Sequence, residues 1–338
     1  MTTFKGIRGT TIEVLSSDPS APEEGQIWYN SSSGTLKGYR TVNAWSSGGN
    51  LSTSLYARGG FGTSASAALI SGGETNSIAP YGYSTNVETY NGTSWTAGTA
   101  LPQTNSRAWG AGILTAGILW GGGVPGGNPG SVTLNYNGSA WTSTGTLTVS
   151  RYDSAGNGTS TAALAFGGAD SNPPYGYRTT AETFNSGTWT TATGLNTARI
   201  GLGSAPQSPN ATGLAFGGFT VPGALTGATE SWGGSAWTNL NSMNTARGYP
   251  GGSGTNTAAL AFGGNTPTLT GATELWNGTA WTSNPTGLAN ARGRAAAGGV
   301  GSASATLATG GYNGVAPTNA SLATEAWNSV KVQTITVS

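Results

Sequence analysis

The strongest constraint on this chain is a unit that recurs along it. Each copy carries an apolar run ending in Gly-Gly, then in most copies a Glu, then an aromatic residue, a tight turn and a Trp. In the clearest copy these are Leu260-Ala261-Phe262-Gly263-Gly264, followed by Thr273-Glu274-Leu275-Trp276-Asn277-Gly278-Thr279-Ala280-Trp281. The Gly pairs fall at Gly72-Gly73, Gly121-Gly122, Gly167-Gly168, Gly217-Gly218, Gly263-Gly264 and Gly310-Gly311. An Arg introduces each copy: Arg58, Arg107, Arg151, Arg199, Arg247 and Arg292. The period is about 47 residues, and a unit of that size buries its apolar face only by stacking on its neighbours.

Each copy contains four short runs separated by Gly, Pro, Ser and Asn. In the fifth these are Gly248 to Gly254, Ala258 to Phe262, Gly271 to Trp276 and Thr279 to Ser283. The runs have strand length, and no segment keeps a helical period, so the chain reads as all-β. Asn277-Gly278, Asn91-Gly92, Asn137-Gly138 and Gly233-Gly234 supply the positive-φ pairs that a two-residue hairpin needs.

Gly-Gly after an apolar strand, then a spaced Tyr or Trp, then Trp, resembles the kelch repeat over residues 41 to 338. The resemblance implies a β-propeller of four-stranded blades. Six copies predict six blades, with a seven-bladed ring as the alternative. From each outer-strand Trp to the next Arg the interval is nearly constant, and Trp45 stands in the same register before Arg58 with no blade of its own. The last copy lacks the outer Trp, having Val332 where it should fall. The segment around Thr41 to Ser46 is therefore expected to add the outer strand of the last blade, removing the free edges. Residues 1–40 then form a leader and 41–338 the propeller.

Composition removes most chemistries. There is no His and no Cys, which excludes Ser-His-Asp and Cys-His nucleophiles, thiolate or imidazole zinc sites and disulfides. No cofactor and no metal is expected. A formal charge of +1 offers no field for a phosphate backbone, so no nucleic-acid partner is expected. No apolar run is long enough to span a bilayer, and the N-terminus lacks a signal-peptide core, so neither membrane insertion nor secretion is expected. The 12 Trp and 12 Tyr, however, argue against disorder.

Charged residues make up only 7% of the chain, and many sit at repeat positions. Besides the six arginines, Glu88, Glu182, Glu230, Glu274 and Glu325 share one position, where the second copy has Leu134. One Arg and one Glu per unit suit structural pairing better than a single asymmetric centre. A sialidase-like ring of arginines is the functional alternative, but Asn185-Ser186-Gly187-Thr188-Trp189 lacks the Asp of an aspartate box. The remaining acids, among them Glu74, Asp153 and Asp170, show no pairing in the sequence, so catalytic residues are not expected and the protein reads as a non-enzyme. Gly121 to Gly126 satisfies a bare dinucleotide pattern, but no helix follows it.

Recognition then falls to aromatic and hydroxyl groups on loops. Two loops share Pro-Tyr-Gly-Tyr, which makes Tyr81, Tyr83, Tyr175 and Tyr177 candidate ligand contacts for a glycan or a protein. In the leader, Gly25-Gln26-Ile27-Trp28-Tyr29-Asn30 resembles a short hairpin near the start of fibre and tail proteins of tailed bacteriophages. That resemblance implies a virion structural protein, assembled in the host cytoplasm. It would dock on other virion proteins through residues 1–40, with Ile27, Trp28 and Tyr29 as the contacts, and would display the propeller toward host surface glycan. A free carbohydrate-binding propeller is the alternative, and a glycan-cleaving enzyme the second.

Overall fold

The computed structural model describes residues 12–20, 22–23, 25–75, 82–124, 128–170, 176–295, 300–315 and 319–335. The chain divides into two compact units, one of residues 45–327 and one of 1–44 with 328–338. Among the described residues there is no helix.

In the large unit, five sheets of four antiparallel strands follow one another, and each repeat supplies one sheet. The fourth is typical, with strands Gly203–Ser204, Gly213–Phe216, Thr229–Trp232 and Trp237–Leu240 in sequential order. The first strands pack each on the next in chain order, and Val300–Gly301 packs on Gly59–Ser64 of the first sheet. Val300–Gly301 pairs in turn with Ala305–Thr309, beyond which lie Thr324–Thr334 and then Thr35–Ser47. Within the large unit, Ser46 donates to the Ala326 carbonyl and the Gly48 N–H to that of Thr324.

Sheet-to-sheet packing explains the repeated residues. Each outer Trp inserts against the preceding sheet: Trp237 meets Phe166 edge-on at 4.8 Å between centroids, and Trp281 meets Phe216 at 4.9 Å. The indole N–H of Trp281 donates to Thr229, and that of Trp189 to Thr133. Trp45 does the same, meeting Phe262 at 5.0 Å and donating to Thr273, while Trp95 of the first sheet donates to Thr324 of the last. Such edge-on aromatic pairs contribute about 0.5–1.5 kcal/mol beyond the area they bury.

The Gly-Gly pair has a geometric cause. Gly217 and Gly218 have φ of +64° and +102°, and a Cβ on Gly217 would stand 2.7 Å from the Arg247 carbonyl of the next sheet. That carbonyl accepts the Gly218 N–H at 2.8 Å, and a Cβ would hold it off.

Repeat arginines and glutamates form buried pairs. Arg199 donates to Glu230 at 2.8 Å and to the carbonyls of Gly217 and Ala228, and Glu230 also accepts the Asn196 N–H. The pair therefore ties the connection that enters a sheet to its second and third strands. Arg151 with Glu182, Arg247 with Glu274, and Arg292 with Glu325 repeat the arrangement, and Arg58 with Glu88 reaches it from a shifted position.

The second copy departs, and the expectation for Arg107 is corrected here. Asn105, not Arg107, occupies the strut position, its side-chain amide donating to the Gly121 carbonyl as Arg199 does to Gly217. With Leu134 replacing the Glu, an apolar contact among Phe61, Leu69 and Leu119 takes the place of the ion pair.

In the small unit, Ile27–Asn30 pairs antiparallel with the start of Thr35–Ser47, and Glu13–Leu15 lies parallel to its other side. The Ile335 N–H donates to Leu36, so the chain's last strand joins the leader hairpin. Asp18 organises this unit, accepting from Asn30, Lys37 and the Trp28 indole at 2.7, 3.0 and 3.1 Å. The Asn30 bond first, then Lys37, holds its carboxyl below the ordinary range. Trp28 is consequently buried, which removes it from the expected docking contacts. Of the three, Tyr29 is exposed and Ile27 half-buried.

Candidate functional site

Two residues beyond each strut position the chain turns through positive φ. The six residues there are Ala57, Arg107, Asp153, Gly201, Tyr249 and Arg294, with φ between +50° and +60°. Five are not glycine, and a left-handed conformation costs such residues about 1–2 kcal/mol each. Backbone bonds from sheet to sheet hold it. Arg107 N–H donates to Ala57 O at 2.7 Å, Asp153 to Arg107 at 3.2, Gly201 to Asp153 at 3.0, Tyr249 to Gly201 at 2.7 and Arg294 to Tyr249 at 3.2.

These six positions surround a cavity of about 30 Å³, room for a water molecule. Beside it opens a bowl of about 690 Å³, lined by Tyr56, Arg107, Tyr249 and Arg294 from the connections between sheets. Asn265, Pro267, Thr268, Leu269 and Tyr312, from loops after the Gly-Gly pairs of the fifth and sixth copies, also line it. That volume falls in the range of small-molecule pockets.

The side chains on this repeated backbone are not repeated. Glu74 is fully buried and accepts two bonds from Arg107, at 2.9 and 3.3 Å, and one from Ser106. Asp153 accepts from the Tyr249 hydroxyl at 3.3 Å. Arg294 stacks on the Tyr249 ring at 4.0 Å, and its nearest carboxylate oxygens, on Asp153 and Glu74, stand at 3.5 and 3.8 Å. Gly201 is required beneath this stack, because a Cβ there would meet the Tyr249 ring at 2.5 Å. Tyr56 and Tyr312 meet edge-on at 5.7 Å across the bowl.

Burial opposes charge on both guanidiniums, but Asp153 and Glu74 outweigh it for Arg107, and Asp153 leads the same effect for Arg294. Both stay protonated beyond their ordinary range. Burial first, then Glu74, pushes the Tyr56 hydroxyl up to about 12, and burial with Asp153 raises Tyr249 as well. The phenols are thus held as neutral donors.

One loop of the fourth sheet crosses the axis. The Gln207 side-chain amide donates to the Gly62 carbonyl of the first sheet at 2.8 Å, and its backbone N–H to Gly254 of the fifth. Asn157 of the third sheet donates to the carbonyls of Ser208, Pro209 and Thr212. Gln207 lies in the connection between first and second strands, and Gly62 and Gly254 stand near the ends of the first strands that lead into the corresponding turns, at the opposite end of the sheets from the Gly-Gly loops that line the bowl.

Several expectations need correction against this geometry. Glu74 and Asp153 do pair, converging with Arg107 and Arg294, and Asp170 pairs with Arg178. Arg107 belongs to the site instead of the frame. Of the Pro-Tyr-Gly-Tyr candidates, Tyr81 and Tyr175 lie outside the described residues. Tyr83 bridges to Glu74 through its backbone, and Tyr177 pairs with Ala169 in a short hairpin. Neither lines the bowl, whereas Tyr56, Tyr249 and Tyr312 do.

No protein-family model matches this sequence, and no curated protein does. The solved structure of YjhT, a bacterial protein, is similar to this chain with a TM-score of 0.66 and 14% identity, covering 85% of this chain and 100% of that one. At that identity the likeness shows the fold alone, an all-β arrangement of propeller type.

Proposed function

We propose that this chain is a non-catalytic binding propeller of six blades, its ring closed where Trp45 joins the last blade, that takes a small hydroxylated ligand of glycan type in the bowl. The single observation that carries this is the contrast at the six positive-φ positions. Their backbone is nearly identical, as a frame requires, yet their side chains are Ala, Arg, Asp, Gly, Tyr and Arg. A purely structural position has no use for such asymmetry, whereas a ligand without sixfold symmetry does. Strained residues gathered at a cavity support the same reading. The non-catalytic part is supported by the two acids of the site, each already engaged by a guanidinium or a phenol.

The attachment to a phage particle is carried by the leader's resemblance alone, and we keep it as the setting in which the propeller is displayed. Full-length protein on an array of bacterial surface oligosaccharides tests the binding function. Saturable binding lost in Tyr312→Ala, with an unchanged melting temperature, is expected. No binding to any glycan, or binding indifferent to Tyr312, would refute it. For the setting, the chain is expected by mass spectrometry in purified particles.

A further inference from the structure

Arg107 and Arg294 sit in one site but are bound differently. Arg107 has Nε and one terminal nitrogen on the same Glu74 oxygen, within charge-assisted hydrogen-bond range. Arg294 is only 20% exposed, yet its nearest carboxylate oxygens are at 3.5 and 3.8 Å. Both acids pair with it as ions but neither is in close hydrogen-bond contact with it, because Glu74 faces Arg107 and Asp153 takes the Tyr249 hydroxyl. A guanidinium so far out of water needs acceptors. Arg294 is held by the face of the Tyr249 ring and by these two longer ion pairs, so its fork keeps hydrogen-bonding capacity for a further acceptor. Arg294 lines the bowl.

Charge sets only an upper limit on an anionic partner, and the fork of Arg294 selects the group. Arg107, Arg294, Glu74 and Asp153 sum to zero, so a monoanion brings the site to one negative charge and a dianion to two, close to two acids already present. The planar fork matches a carboxylate in shape as well. Opposite the bowl, Gln207 reaches across to Gly62 and closes the axis, so a chain-like ligand enters from one side and presents an end.

We propose that the bowl captures the terminal carboxylate of a sugar acid, with Arg294 as its anchoring residue and the Tyr56–Tyr312 pair as the wall for the ring. This rests on the glycan reading above and adds the acidic end group.

The test is calorimetric titration of the full chain with D-glucuronate, D-galacturonate and their neutral parents D-glucose and D-galactose, with acetate and inorganic phosphate as competitors. At least one acid is expected to bind about tenfold tighter than its neutral parent, with the preference shrinking as salt rises. Arg294→Gln should weaken acid binding by about 30-fold or more and neutral-sugar binding far less, so that the acid-to-neutral preference collapses, and Arg294→Lys should recover part of that preference. The acid-to-neutral comparison in the unaltered protein stands even if a variant misfolds. Equal binding of acids and neutral sugars, or a preference that survives in Arg294→Gln, overturns the carboxylate while leaving the glycan pocket. Phosphate competing better than acetate overturns the choice of carboxylate. Absence of binding by all four sugars overturns both.

Discussion

The second sheet carries a natural replacement for the buried ion pair, and moving it into the fourth sheet measures what the pair contributes. Asn105 and Leu134 stand where Arg199 and Glu230 stand two sheets later. In Glu230→Leu, Arg199 keeps its bonds to Gly217 and Ala228 but loses its carboxylate at 2.8 Å. In Arg199→Asn, Glu230 keeps only the Asn196 N–H. Each single change leaves an uncompensated buried charge, which costs about 3–5 kcal/mol. The double variant leaves none. Asn can reach the Gly217 carbonyl as Asn105 reaches Gly121, and the chief loss is the acceptor of one N–H, about 1–2 kcal/mol. The two changes should thus be strongly non-additive. At about 2–4 °C per kcal/mol for a unit of this size, the singles should melt roughly 6–20 °C lower and the double roughly 2–8 °C lower. Urea unfolding followed by tryptophan fluorescence is the suitable assay, since guanidinium salts would screen the charges under study. A double variant as unstable as the two singles summed would refute the idea that the pair is replaceable by neutral packing.

Two further outcomes are expected. The folded state holds Tyr56 neutral up to about 12 against about 10 when unfolded, so its contribution is intact below pH 10 and is lost as pH rises from there to 12. Urea midpoints should fall over that window, and Tyr56→Phe should flatten the fall; equal slopes in both proteins would contradict the assignment. Asn157→Ala removes three bonds to the loop that crosses the axis. Hydrogen exchange at residues 207–212 should accelerate in that variant, while the backbone bonds that run from Arg107 to Arg294 keep their protection.

What the sequence reveals and what it hides follow from one distinction. Gly-Gly, Glu and Trp recur because most sheets meet the same local demand with the same residue, so they are visible in register, and the second copy's Leu134 shows as a break. The axial site is built on equivalence of a different kind. Ala57, Arg107, Asp153, Gly201, Tyr249 and Arg294 share only a left-handed backbone, and nothing in their chemistry links them. Arg107 hides best, lying close enough to the strut position of Asn105 to pass for the repeat arginine. One signal could have exposed it: Leu134 breaks the Glu series, so an arginine in that copy has no partner in its own sheet and must find one elsewhere. Trp28 misleads for the opposite reason. In a short leader an aromatic reads as a contact, but Asp18, ten residues upstream, takes its indole N–H and draws it inward.

Because successive backbone bonds join these six positions whatever side chains they carry, the hexad works as a set of sockets. A socket whose side chain makes no bond of its own can be refilled without redrawing the wall that holds it. Gly201 is not exchangeable, since Tyr249 lies over it. Ala57 is, for it carries only a methyl group at a conformation its neighbours occupy with Arg, Asp and Tyr. A library at Ala57 would sample new ligand chemistries while leaving the bonded side chains of the other positions in place.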